Sequence, residues 1–422
     1  MTLTVRLGTP VRTALAAVLA VPLLLFGASA QAAPTDATRG LFGTQDPAFD
    51  GAFRQSLSIL ALQAAGHPVP RPAIDWLVTQ QCDDGGWSPY RADPAKPCVA
   101  KSEDSNSTAM AVQALASVGG LSEEVSEGVG WLTTNQNTDG GIGYNAGGAS
   151  DTNSTALFVQ ALTAADEDPS ATENAGKTPI DALLGLQLGC DAPAEGRGSF
   201  AFQAAKTRSE LEANDIAAAA ALFALSGQVL PVAQPGEGRP RQLSCGSGAE
   251  PEPAPDAAGP AAAAYLAGVL DDNKGTVPAQ QGGGSDLGTT ASAAIGLAAF
   301  GATDDANHAM AALVKGASTY TKGPDGKDAP AALANIVLAA TATGQDPAKI
   351  ADNAVERLAA TGPEATTPTQ SASLLPSPLA TRAASQGGDS GGTGSWVALA
   401  VIGGIVLVGT IVLVGRRREN AE

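Results

Sequence analysis

The sequence predicts an all-α protein built from repeated pairs of helices. A stretch of polar residues followed by about three turns of small apolar residues begins at Asp104 and returns, with nearly the same residues, at Asp151. Asp, Asn, Ser and Thr side chains accept hydrogen bonds from the free N–H groups of a first helical turn, so each stretch opens a helix. Because little charge follows that turn, these helices are apolar on all sides and have to be buried.

Four further stretches share this design, which gives six predicted inner helices. They begin near Asp50, Glu212, Asp286 and Asp328, and each ends on a glycine, the usual C-terminal stop. The intervals between copies are irregular, but each has room for one more helix and two loops.

An outer helix is predicted in each interval. Proline near the first turn and acidic residues at the N-terminus mark several of them. The predicted outer helices are residues 70–81, 122–136, 179–188, 259–270, 304–320 and 347–360.

The N-terminal residues 1–32 have the pattern of a signal peptide. Arg6 and Arg12 precede an apolar run over 14–26, and small residues near Ala30 supply a cleavage site. A retained membrane anchor is the alternative, but the run is short for a span. We expect an exported protein, whose residues 33–45 form a loose lead-in.

Residues 396–415 are predicted to cross a membrane. They carry no charge and would rise about 30 Å as a helix. The basic run 416–418 follows at once, which places the C-terminal tail, 416–422, in the cytoplasm. We expect a single-pass cell-membrane protein with its ectodomain, 46–362, outside. A flexible Pro-, Ser-, Thr- and Gly-rich stalk, 363–394, and a transmembrane segment, 395–415, complete the domain prediction.

The four cysteines fit an exported, oxidised protein. They allow three pairings, of which Cys82–Cys98 and Cys190–Cys245 are favoured because each staples a local segment. Neither pair has the two-residue spacing of a zinc site, so no metal is expected. Cys245 would also tie down a Pro- and Gly-rich surface excursion over 229–258.

The charge of the chain excludes one class of partner. The net charge is −18. Nucleic acids and anionic lipid surfaces are bound by basic faces, so no nucleic-acid partner is expected.

Two turns resemble a known repeat. Gln81, Gly85 and Trp87 close the first outer helix, and Gln136, Gly140 and Ile142 close the second with the same spacing. They resemble the glutamine–tryptophan repeat of the squalene cyclase and prenyltransferase families. The resemblance spans roughly residues 46–362 and implies an α/α toroid, a closed barrel of alternating inner and outer helices. It implies less about function, because this toroid hosts several unrelated activities.

The resemblance to those enzymes fails at their catalytic positions. Squalene cyclases protonate substrate with an acid in an Asp-x-Asp-Asp-Thr-Ala stretch, whereas this chain has Asn106 with Ser107 and Asn153 with Ser154 in the Asp-Asp positions. An amide is not a Brønsted acid near neutral pH. The zinc ligands of prenyltransferases are also missing, since the two histidines lack a suitably placed cysteine. We therefore expect a protein that is not an enzyme.

The inner helices are also similar to those of the cobalamin carriers transcobalamin and intrinsic factor. This resemblance implies binding of a corrinoid for delivery to an uptake system in the same membrane, with no other cofactor. Those carriers add a C-terminal β domain that this chain lacks, so a lid protein and a membrane transporter are the expected partners. An Asp-x-His-x-x-Gly motif is absent, so a histidine ligand to cobalt is not implied.

In a closed toroid the inner helices run parallel and their N-termini meet at one rim. Polar side chains would then surround one opening that suits a small polar ligand. The predicted binding residues are Asp104, Asn106, Gln113, Asp151, Asn153, Gln160, Glu212, Asn214, Asp286 and Thr289. The alternative is that these residues only cap their own helices. Gln113 and Gln160 lie mid-helix and would either bond a neighbouring helix or face the lumen.

Two other functions stay open. A terpene- or squalene-cyclase-type enzyme with relocated acids would need an aromatic lumen, and nine Phe, four Tyr and four Trp are few for that purpose. A cell-envelope interaction scaffold would have its lumen plugged by side chains. Trp76, Trp87, Trp131 and Tyr144 are expected in the core. The turns around Asp84 and Asp139 could hold calcium, but turn chemistry alone explains them.

Overall fold

The computed structural model describes residues 38–99, 101–246 and 253–364. The predicted signal peptide, most of the stalk, the transmembrane segment and the tail lie outside these ranges. Among the described residues, no helix is long and apolar enough to cross a membrane. The described elements are α1 Pro47–Ala64, α2 Arg71–Thr79, α3 Ser105–Val118, α4 Ser122–Thr134, α5 Thr152–Ala164, α6 Pro179–Leu186, α7 Asp215–Ser226, α8 Pro255–Asp272, β1 Val277–Pro278, β2 Ser285–Asp286, α9 Leu287–Phe300, α10 Thr303–Tyr320, α11 Pro330–Ala342 and α12 Ala354–Ala359.

The odd-numbered helices form a closed ring. Each packs on the next odd-numbered helix, and α11 packs back on α1. The even-numbered helices lie outside: each packs on the inner helix before it, and α12 also touches α1. The antiparallel pair β1–β2 is a small hairpin just before α9. The described fold is thus consistent with the predicted toroid of six inner and six outer helices.

The inner helices are buried on every face. In α9 the twelve residues from Gly288 to Ala299 are all buried, and α3 is buried without a break from Ser107 to Leu115. Small side chains, mostly alanine, let these helices approach closely. A helix with no exposed face has no side on a water-filled lumen, so side chains fill the middle of the ring along these segments.

The outer helices are amphipathic, as their position requires. In α10 the buried residues recur every three or four positions, at Ala306, Ala309, Met310, Leu313 and Ala317. The opposite face of this helix is solvated, with Asp304, Lys315 and Thr319 exposed.

A repeated turn follows each of the first three outer helices. The Gln81 side-chain amide donates to the carbonyl of Gly85 (3.2 Å) and to Glu124 of α4 (2.9 Å). The Gln136 amide donates to Gly140 (2.9 Å). Gln187 does the same with Gly198 (3.1 Å) and with Ala258 of α8 (2.9 Å). This third turn was not recognised in the sequence, because a loop that contains Cys190 separates Gln187 from Gly198.

The glycine of each turn lies against the backbone of the next outer helix or its N-cap. Gly85, Gly140 and Gly198 have φ of +94°, +88° and +87°. A Cβ on them would lie 2.3, 2.2 and 2.5 Å from the carbonyl oxygens of Glu127, Thr178 and Ala261, respectively. Only glycine can adopt this backbone conformation and also lie this close to the neighbouring carbonyl oxygen.

Part of the predicted lead-in packs into the ring. Phe42 is fully buried, and the Gln55 side chain of α1 accepts from its N–H (2.9 Å) and donates to the Gly40 carbonyl (2.9 Å). A Cβ on Gly40, at φ +111°, would lie 2.3 Å from the Pro72 carbonyl, as in the other turns. The Gly43 N–H donates to Thr361, just beyond α12 (2.8 Å). Residues 40–43 therefore supply a turn of the same kind where the ring closes.

Both predicted disulfides, Cys82–Cys98 and Cys190–Cys245, are present. The predicted excursion over 229–258 is partly packed, since the N–H groups of Gly236 and Gly238 donate to carbonyls at the end of α9. It is also shorter than predicted, because α8 begins at Pro255.

Candidate functional site

The starts of neighbouring inner helices lie on one rim. The Ser105 N–H, at the start of α3, donates to the carbonyl of Tyr144 in the turn before α5 (3.0 Å). The Thr152 N–H, at the start of α5, donates to the carbonyl of Phe202 in the segment before α7 (2.9 Å). The starts of α3 and α5 thus each lie against the segment that leads to the next inner helix.

The acidic residues of the predicted site cap their own helices. Asp104 accepts from the backbone N–H and the hydroxyl of Ser107, both at 2.7 Å. Asp151 does the same with Ser154, both at 2.8 Å. Asp286 accepts from the N–H of Thr289 (2.9 Å) and from its hydroxyl (2.6 Å), and Asn214 accepts from the Ala217 N–H (3.0 Å). The capping alternative therefore accounts for these contacts of Asp104, Asp151, Asn214 and Asp286, and Thr289 is the residue that Asp286 caps.

The other predicted residues differ in position. Asn106 and Asn153 are half-buried in the first turns of α3 and α5, and the Asn153 Oδ1 is buried without a hydrogen-bond partner. Glu212 is exposed, ahead of the Asn214 cap. Gln113 and Gln160 are buried. The Gln113 amide donates to Ala109 of its own helix (3.2 Å), an arrangement that neither predicted alternative included.

Burial changes the acidity of the rim carboxyls. Desolvation raises the pKa of Asp104 to about 6, although hydrogen bonds from Ser107, Asn106 and Tyr144 oppose the change. Burial also raises the pKa of Asp151, against hydrogen bonds from Ser154. The pKa of Tyr144 is raised by burial and by the nearby Asp104. A carboxyl that is partly protonated near pH 6 therefore lies at the start of α3.

Asp104→Asn is expected to remove a pH dependence of stability. The folded-state pKa of about 6 exceeds the unfolded value, so the native state binds the proton more tightly and stability falls as pH rises from about 4 to 6. Two pKa units correspond to roughly 3 kcal/mol. Asparagine caps as well as aspartate but does not titrate. Urea unfolding at pH 4, 5, 6 and 7 should show the variant gaining stability relative to the natural protein as pH rises; parallel curves would contradict this.

A polar cleft lies on the rim where the turns before α5, α6 and α7 meet. Its volume is about 520 Å³. It is lined by Gln136, Asn137, Thr138, Asp139, Gly147, Gly148, Ala149, Ser150, Asn174, Gln203 and Ala204. Sequence reasoning missed it because three loops separated in the chain form it together; only Gln136 and the Asp139 turn were singled out.

Aromatic side chains are exposed on the same rim. Trp76, Trp87 and Trp131 are buried as predicted, but Tyr144 is 38 % exposed. Phe202 is 41 % exposed at the corresponding place before α7. The interpretation of Tyr144 as a core residue was therefore wrong.

Cys82, Cys98 and Glu103 come close enough together to suggest a metal site. The two sulfurs are bonded to each other, so they offer no thiolate ligand.

Residues 52–151 match the family model of the squalene-hopene cyclase C-terminal domain. This stretch runs from α1 to the Asp151 cap and contains the first two glutamine turns. Over this stretch the chain is similar to that domain of the squalene-hopene cyclases. No curated protein matches the chain.

Several solved structures resemble the chain. A protein from Actinoplanes is 18 % identical, with 77 % of this chain and 94 % of that one covered and a TM-score of 0.43. The ent-copalyl diphosphate synthase of Streptomyces platensis is 18 % identical over 69 % of this chain, with a TM-score of 0.42; the match spans half of the synthase's length. The type II terpene cyclase MstE of Scytonema is 16 % identical over 71 % of this chain and 79 % of its own, with a TM-score of 0.39.

The family match supports the cyclase part of the predicted resemblance and leaves the cobalamin-carrier part unsupported. Over residues 52–151 it agrees better with the cyclase-type alternative than with the corrinoid carrier.

Proposed function

We propose that this protein is an exported, non-catalytic binding protein that holds a small polar ligand on the rim where its inner helices begin. The observation that carries the proposal is the pair of half-buried amides, Asn106 and Asn153, at the helix starts; the filled ring, which the scaffold alternative also predicts, leaves the rim as the place for a ligand. Because α3 and α9 have long segments with no exposed face, a ligand is better accommodated at the rim than in the middle of the ring. Membrane anchoring through residues 396–415, a lid protein and a transporter remain part of this proposal.

The rim residues support binding over catalysis. Asn106 and Asn153 replace the proton-donating acid of the cyclase stretch, and both oxygens of Asp104 are engaged by Ser107. Half-buried amides at a helix start can donate to a ligand and accept from it. The Asn153 Oδ1 is buried without a hydrogen-bond partner, which is costly for an acceptor.

A corrinoid titration tests the specific ligand that the carrier resemblance implies. If a corrinoid binds the rim through its amides, the purified full-length protein should show saturable heat and an absorbance change. The double variant Asn106→Ala with Asn153→Ala should bind at least tenfold more weakly, whereas Asn273→Ala, exposed at the end of α8, should bind normally. No heat and no spectral change would exclude the corrinoid.

A cyclase is the second candidate. The family match and the raised pKa of the buried Asp104 favour it, since a general acid needs a pKa near the working pH. Its test is incubation with geranylgeranyl diphosphate and squalene, followed by mass spectrometry for cyclised products. If the natural protein forms a cyclised product and Asp104→Asn does not, the cyclase function replaces the binding proposal. If no product forms, the cyclase function is excluded.

A further inference from the structure

A buried carboxylate beside the first disulfide lacks a partner. Glu103 is only 8 % exposed. Among the described residues, none donates a hydrogen bond to its carboxylate or forms an ion pair with it. Buried carboxylates are normally paired or bound to a metal ion, because a lone buried charge is costly. Glu103 belongs neither to the predicted rim site nor to the lining of the polar cleft, so it calls for a partner of its own.

Both sulfurs of the Cys82–Cys98 disulfide lie next to this carboxylate. The two sulfurs and a carboxylate oxygen of Glu103 all lie within 4.8 Å of one another. A tetrahedral zinc ion bound by sulfur at about 2.3 Å keeps its ligand atoms roughly 3.5–4 Å apart. The Cα atoms of the two cysteines are 5.7 Å apart, so the sulfurs can reach that separation by side-chain rotation once the bond between them is broken. The three side chains can therefore surround one ion in the reduced state.

The backbone around two of these side chains is held without help from the disulfide. The Cys82 N–H donates to the Gly86 carbonyl within the first glutamine turn (2.8 Å). The cap residue that follows Glu103 donates from its N–H to the Trp87 carbonyl at the end of the same turn (3.0 Å). Cys98 is half-buried in a loop whose neighbouring residues are exposed. Reduction would therefore leave Cys82 and Glu103 in place, and Cys98 can adjust to an ion.

Reduction changes what the two sulfurs can bind, because a thiolate is a metal ligand and a disulfide is not. A dithiol reductant supplies two electrons and two protons, so that the S–S bond breaks and two thiols form, while the reductant is oxidised to its own disulfide. A zinc ion then displaces the two thiol protons, and thiolate ligands favour zinc over calcium or magnesium. We propose that Cys82, Cys98 and Glu103 bind one zinc ion when the disulfide is reduced.

Zinc titration of the purified full-length protein, before and after reduction, tests this proposal. The reductant is a phosphine that is removed under nitrogen before zinc is added. The reduced protein should bind zinc at least about a hundredfold more tightly than the oxidised protein and release protons as it does so. Cadmium in place of zinc should give an ultraviolet thiolate-to-metal absorption band in the reduced protein alone. Glu103→Gln, which keeps the side-chain size and removes the charge, should weaken zinc binding about tenfold or more, whereas Glu210→Gln, exposed elsewhere, should not.

Paired variants show which cysteines hold the ion. Cys190→Ser with Cys245→Ser should keep the zinc affinity and the cadmium band, and Cys82→Ser with Cys98→Ser should lose both. Equal zinc affinity of the oxidised and reduced proteins would overturn the proposal, and so would binding that survives the loss of Cys82 and Cys98 or that Glu103→Gln leaves unchanged. A loss of helical circular dichroism on reduction would also overturn it, because the site requires a turn that keeps its shape without the disulfide.

Discussion

Gly140→Ala is expected to destabilise the protein by more than about 3 kcal/mol. Gly140 has φ +88°, a conformation that costs an L-residue with a side chain roughly 1–2 kcal/mol. An added Cβ would also lie 2.2 Å from the Thr178 carbonyl oxygen and 2.7 Å from its carbon. Thr178 is the N-cap of α6, where its hydroxyl and Asp181 form a capping box. The turn cannot move away without disturbing that cap, so the clash adds to the cost of the backbone conformation.

Gly176→Ala is the matched control, because Gly176 has φ +74° with no atom within 4 Å of the added Cβ. Its free energy of unfolding should fall only by the cost of the backbone conformation, roughly 1–2 kcal/mol. Urea unfolding of both variants measures the difference. If both variants lose the same free energy of unfolding, the contact between the added Cβ and the Thr178 carbonyl contributes nothing. The cost would then come from the backbone conformation alone.

Phe42→Ala is expected to cost about 3–5 kcal/mol, the range for truncating a fully buried aromatic residue. Phe42 is completely buried, although it lies near the start of the described chain. Its loss would leave a cavity beside Gly362, whose position is in close contact with the Phe42 ring. The seam between α1 and α12 would therefore weaken.

Phe49→Ala serves as the comparison, since Phe49 is 62 % exposed. Its truncation should change the free energy of unfolding by less than about 0.5 kcal/mol. Thermal unfolding and limited proteolysis should both separate the two variants, with Phe42→Ala cleaved sooner near residues 38–45. Similar behaviour of the two would mean that residues 40–43 do not hold the ring closed.

The features that sequence could predict are local ones. The caps Asp104, Asp151 and Asp286 are encoded within four residues, and they located three of the inner helices. The disulfide pairs followed from the short separations of their cysteines. The turn at Gln81 was recognisable because its glutamine and glycine are four residues apart.

The features that sequence missed depend on contacts between distant segments. Gly40 and Phe42 looked like a lead-in because their partners, Pro72 and Gly362, are far along the chain. The exposure of Tyr144 depends on how the turn before α5 meets α3. Asp104 could cap its helix or contact a ligand. The sequence could not distinguish these roles, because an aspartate at a helix start suits both.

The hydrogen bond between Gly43 and Thr361 has a consequence for how the molecule comes apart. An open solenoid has two terminal repeats that fray first and need dedicated caps. In this ring the first and last hairpins are neighbours, so no repeat is terminal. Opening any one interface therefore strains its neighbours on both sides, and the described ring should melt as one cooperative unit.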